Sequence, residues 1–340
     1  MKLAMAFLQI PLEIRLSVFR EAICSLADQP SCPAVSQKGR KRLSQDAFGG
    51  AGIWQLPLRN PALPLLLVNK QIHAEVKDVL ERTTTTSYHV DIMYLKFYGL
   101  WTTWTIPALP RTQYIDSIHA SFRLFEPTKD LDKRFRGSLS FSPGDGGPPL
   151  AVWSFHKLLT GVLTDGPGYL GGKRSGMQKG LTPRYAVKRV VVNIVAPIDG
   201  AVHKSIIWGD KGYDKRVRPG EDGCGPHDAS IPAEQRLADY MIQHLDTILY
   251  LNYYTMNYGT VLYEGVLEDI TFLVNGTEYK RYDMDELMRE HKVNYWGETP
   301  ELIEQRQQAH AKWKSWVDER RNRMKEGLEL DSNRPVTTIM

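Results

Sequence analysis

Cysteine is scarce in this chain. Only Cys24, Cys32 and Cys224 occur among 340 residues, too few and too scattered for a disulfide framework, which fits a reducing compartment, cytoplasmic or nuclear. Long apolar runs are missing too. The longest, near Leu63 to Val68, falls well short of the roughly 20 residues of a membrane span, so no membrane partner is expected. Charge of one sign does not dominate: 43 Lys and Arg face 39 Asp and Glu, a net +4. So small an excess over a large surface gives no ground for a nucleic-acid partner. Lys2 stands ahead of a short apolar run as in a secretory signal, but no small-x-small cleavage site follows. Glu13, Arg15, Arg20 and Glu21 continue an amphipathic helix at once, so no leader is expected.

Signatures of catalysis are also lacking. Gly166-Pro167-Gly168-Tyr169-Leu170-Gly171 has the letters of a dinucleotide-binding turn, but it follows a helical stretch instead of a strand, and Pro167 stiffens it. As a phosphate loop the same region has Pro167 in place of the first Gly and Arg174 in place of Ser or Thr. Cys224 and His227 offer two metal ligands without the second pair that a structural zinc needs. His73, His119 and His244 have no triad partners, and no Gly-x-Ser-x-Gly elbow occurs. The expectation is no enzyme, no catalytic residue, no metal and no cofactor; a nucleotide-dependent enzyme or hydrolase is the competing class.

What is present begins with two amphipathic stretches. Leu12, Leu16, Phe19 and Ile23 recur at i, i+4, i+7 and i+11, with Pro11 suited to a first turn. Leu65, Val68, Ile72, Val76 and Val79 or Leu80 repeat the pattern over residues 61–80, behind Pro61 and Pro64. Two helices with facing apolar stripes are predicted.

Their letters resemble a known family. Ile10-Pro11-x-Glu13-Ile14-Arg15 with Val18-Phe19, then Leu66-Leu67-x-Asn69-x-Gln71-Ile72-x-x-Glu75-Val76, is similar to the F-box-like domain common in fungal proteins of uncharacterised function, over about a quarter of the chain. The resemblance implies an interaction module that docks on the Skp-type linker of cullin–RING ubiquitin ligases, with Leu12, Ile14, Leu16 and Phe19 contributing to docking or to its supporting core. It implies a substrate adaptor whose remaining chain recognises an unknown protein target. Gln71-Ile72-His73 departs from the second Glu-x-Arg of some members. The alternative is a scaffold or binding protein in which the helices are only structural.

Four units are expected: a helical module at 1–82 with a mobile insert at 28–60, an α/β region at 83–298, a long helix at 299–327 and a disordered tail at 328–340. The insert is rich in Pro, Gly and Ser and carries the basic cluster Lys38, Arg40, Lys41 and Arg42. A strand is predicted over Ser87–Leu95, followed by a loop at 99–110 whose Trp101 and Trp104 cover a core edge. Three segments share one apolar phase: Ile115, Ile118, Ala120, Phe122; Val187, Val190, Val192, Ile194; and Leu267, Ile270, Phe272, Val274. Helical stretches at 150–163 and 231–251 separate them. The fold class is α/β or α+β, with a parallel, leucine-rich-repeat-like sheet, crossover helices and a C-terminal hairpin at Asn275-Gly276. Tyr250, Tyr253, Tyr254, Tyr258 and Tyr263 crowd the link to the third strand. Tyr253, Tyr254 and Tyr258 are the candidate target-binding residues, with packing at a core margin as the plainer alternative.

Overall fold

The computed structural model describes residues 7–43, 52–83, 86–95, 98–135, 150–171, 182–197, 231–251, 256–292, 299–330 and 335. Eight strands form one sheet: β1 (Lys41–Arg42), β2 (Ile53–Gln55), β3 (Ser87–Leu95), β4 (Gly99–Thr105), β5 (Tyr114–Phe125), β6 (Ala186–Val195), β7 (Val266–Val274) and β8 (Thr277–Asp283). Their spatial order is β1-β2-β4-β3-β5-β6-β7-β8. The helices among the described residues are α1 (Leu12–Cys24), α2 (Ala62–Leu66), α3 (Lys70–Arg82), α4 (Leu150–Asp165), α5 (Ala233–Leu249), α6 (Met256–Gly265), α7 (Met284–Glu290) and α8 (Pro300–Lys325). The class is mixed α/β.

The three phase-matched segments are β5, β6 and β7, adjacent and parallel. Ile118, Val190 and Ile270 stand in one row, Ala120, Val192 and Phe272 in the next, then Phe122, Ile194 and Val274. The first position departs from the expected overlay. A register shift between Val187 and Arg189 pairs Val187 with Val266, which joins the main core, and leaves Leu267 on the opposite face. β3 extends the parallel set, while β4 and β8 pair antiparallel with β3 and β7. The sheet is therefore mixed, not uniformly parallel.

The core lies between one face of this sheet and α4, α5, α6 and α8. Val152, Phe155, Leu158 and Val162 of α4 and Leu237, Met241, Leu245 and Ile248 of α5 bury their stripes against the three rows. Each such side chain contributes about 1.5–3 kcal/mol by leaving water. α6 runs into β7 without a linker, so its last carbonyls need partners from elsewhere. α8 supplies them. Arg320 donates to the carbonyls of Glu264 and Pro183, and Arg321 to those of Tyr263, Val266 and Leu267, while Trp313 Nε1 reaches Glu264 Oε1 at 2.9 Å. The basic end of this helix thus faces inward and caps a neighbour, beyond suiting its own dipole.

Four expectations change. The 28–60 stretch, expected as a mobile insert, supplies β1 and β2 to the sheet, and Arg40 of its basic cluster is buried, donating to the carbonyls of Ser36, Trp54 and Thr102 and lying 5.1 Å from the Trp101 ring. The Trp101–Trp104 stretch is β4, paired with β3 along its whole length. The helix expected over residues 61–80 breaks at Leu67–Asn69, because Asn69 Oδ1 accepts from Ile72 N at 2.9 Å and starts a new helix there. In the expected tail, Leu330 is buried beside Met324 and donates its N–H to Gln113 Oε1; the residues past 330, apart from 335, lie outside the described set.

Candidate functional site

The N-terminal helices close a small core of their own, separate from that of the sheet. Phe19 and Ile23 of α1 meet Ala62 of α2 and Ile72, Val76 and Val79 of α3, with Phe7, Leu8, Leu16, Leu65, Leu66 and Leu80 around them. Pro11 precedes α1, and its carbonyl accepts from Ile14 N and Arg15 N. Arg15 then points inward. Its Nη2 lies 2.5 Å from Glu75 Oε1 and its Nε 3.0 Å from Glu75 Oε2, a two-point pair with both side chains about nine-tenths buried. The remaining Arg15 donor binds the carbonyls of Leu8 and Ile10. Hydrogen bonding from Arg15 holds the Glu75 carboxyl below its ordinary range, with Gln71 Nε2 adding a 3.0 Å bond, against the opposing effect of burial. The same bond raises the Arg15 guanidinium.

This clasp joins the two halves of the motif that suggested the F-box likeness. Of the four residues that the likeness assigns to docking or its supporting core, Phe19 is 3% exposed and Leu16 half-buried in the module core, whereas Leu12 and Ile14 are 45% and 53% exposed. Val18, also 45% exposed, follows Ile14 by one helical turn on the side away from Phe19 and Ile23. Leu63, Leu67 and Val68, in and just after α2, are more than half exposed. Val18 and Leu67 are letters of the motif that the likeness does not assign to docking, although the 3.6 period that sets Phe19 inward sets Ile14 and Val18 outward.

Of the five tyrosines, the three that are described differ in exposure. Tyr263 is buried and donates to Leu249 O at 2.8 Å, while Tyr250 is exposed. Tyr258 is half-buried, and its carbonyl accepts from His156 Nε2 at 2.7 Å. Tyr253 and Tyr254 lie outside the described residues. Burial pushes the His156 imidazole down to about 4, partly opposed by that bond, so the ring is neutral at pH 7. It lines an apolar cavity of about 30 Å³ between α4, α5, α6 and the sheet, too small for a metabolite. Residues 166–171 form a short 3-10 helix after α4 with Tyr169 and Leu170 buried. Cys224 and His227 fall outside the described residues.

Among the described residues no helix is long and apolar enough to cross a membrane. The chain matches no protein-family model, no curated protein and no solved structure.

Proposed function

We propose that the chain is an F-box-like interaction protein whose N-terminal module docks on a Skp-type linker of a cullin–RING ubiquitin ligase, leaving the α/β region to hold a protein target. The supporting observation is the pair Ile14 and Val18 on the outer side of α1, exposed although the module core is already closed behind them by Phe19 and Ile23, with Leu12 exposed at the start of the helix. Apolar side chains left outside a complete core are what a partner surface requires. The proposal assigns no catalysis to the chain, and no nucleic acid or membrane partner.

A second reading, a scaffold whose box only completes the fold, draws on the Arg15–Glu75 clasp and the burial of Phe19, which place motif letters inside the module. Co-purification separates the two. Wild type should retain the linker, and an Ile14→Asp/Val18→Asp variant with unchanged melting should release it. Absence of the linker from the wild-type preparation would overturn the adaptor reading in favour of the scaffold.

A further inference from the structure

Two histidines face each other on the side of the sheet away from α4 and α5. His89 of β3 and His119 of β5 are direct partners across a parallel pairing. Their neighbours Val90 and Ala120 point into the main core, so the two imidazoles project from the other face. The rings stack at 4.8 Å between centroids and 13° between planes. Both side chains are half-buried, yet no ring nitrogen of either is closed off from the surface without a partner. Among the described residues neither ring takes part in a hydrogen bond. Burial lowers both imidazoles from their ordinary 6.5, and His119 adds to the effect on His89. At pH 7 the pair is neutral and each ring offers a lone pair, the form in which histidine binds transition metals.

We propose that His89 and His119 together seat a divalent transition-metal ion of the copper, nickel or zinc class. Adjacent strands hold the two backbones about 4.8 Å apart, a spacing fixed by the sheet and not by a loop. Metal–nitrogen bonds of about 2.0–2.1 Å bring two donor nitrogens to roughly 3.3 Å from each other in a tetrahedral arrangement. Stacked rings reach that by turning about χ2, a motion that breaks no hydrogen bond. Along the same row Val191 offers no donor, and Thr105 Oγ1 already accepts from Ala27 N. The carboxylate two residues along β3, Asp91, is held by Arg123 at 2.6 Å. No group of three His, Cys, Asp or Glu that could hold a metal occurs among the described residues, so among these the seat has two imidazoles and no third protein ligand. Such a site ranks metals by their liking for imidazole, copper first.

Nickel is the suitable probe, because the free thiols of Cys24 and Cys32 would reduce cupric ion. Calorimetric titration of the full chain with nickel chloride should show one site that His89→Gln and His119→Gln each weaken by roughly tenfold or more, since a chelate becomes a single ligand. His244→Gln, on α5, should leave that site intact, and all three variants should melt as the wild type does. X-ray absorption on unmodified protein with one equivalent of nickel gives an independent count, two imidazoles. Isotherms unchanged in both Gln variants, no wild-type binding at millimolar nickel, or fewer than two imidazoles around the bound ion would each overturn the proposal.

Discussion

Arg15 and Glu75 stand sixty positions apart in the chain and meet at 2.5 Å. Because the folded Glu75 carboxyl titrates below its unfolded value, near 4.5, its contribution to stability is complete above that pH and is lost as pH falls through the lower folded value. Melting measured from pH 7 to 3 should show wild type well above Glu75→Gln at neutral pH, with the gap closing below about 4.5; a gap independent of pH would contradict the clasp. The two sides of α1 should also respond differently. Phe19→Ala, at a site 3% exposed, should cost about 3–5 kcal/mol in chemical denaturation. Ile14→Asp, at a site 53% exposed, should stay within about 0.5 kcal/mol. Equal losses would mean that α1 has no free side.

The element scale is where the sequence was most legible, and where its silence has physical causes. β3 spans the predicted Ser87–Leu95, and the shared phase of β5, β6 and β7 became three rows of direct neighbours because period-2 burial is a local property. The hairpin is likewise local. Asn275 and Gly276 both hold positive φ, 51° and 80°, and Asn275 Oδ1 accepts from Ala196 N to tie the turn to β6. β4 was obscured by Pro107 and Pro110 beyond its end, although Thr and Trp favour strands. β1 and β2 are two and three residues long and exist through long-range pairing, which no local period records. The caps made by Arg320 and Arg321 were hidden for the same reason, since their acceptors lie more than fifty residues earlier in the chain. Arg321→Ala would leave the carbonyls of Tyr263, Val266 and Leu267 without this donor. The expected loss is about 3 kcal/mol in denaturant titration, and a change below about 0.5 kcal/mol would show that water replaces the guanidinium freely.

At the scale of the whole molecule, the expected boundary near residue 82 does not divide the chain. It leaves α1, gives β1 and β2 to the sheet beside β4, and returns to α2 and α3, so the helical module and the sheet share a stretch of backbone. Ala27 N on Thr105 Oγ1, Arg123 on Pro30 O and Arg111 on Leu80 O fasten the two together. A fragment beginning at residue 83 should therefore lack Arg40 and Ile53, uncover the Leu100–Thr102 edge of β4, and aggregate or melt lower than the full chain. A fragment as stable as the parent would restore the boundary. The same fastening means that a partner bound to the outer side of α1 would be held in a fixed relation to the sheet, which is the property an adaptor needs. The most direct measurement is a calorimetric titration of the purified full chain with a purified Skp-type linker. The account predicts saturable one-to-one binding that Ile14→Asp/Val18→Asp weakens by at least about 1.4 kcal/mol, a factor of ten, while His89→Gln leaves it unchanged; no heat of binding from wild type, or equal affinity in the α1 variant, would contradict it.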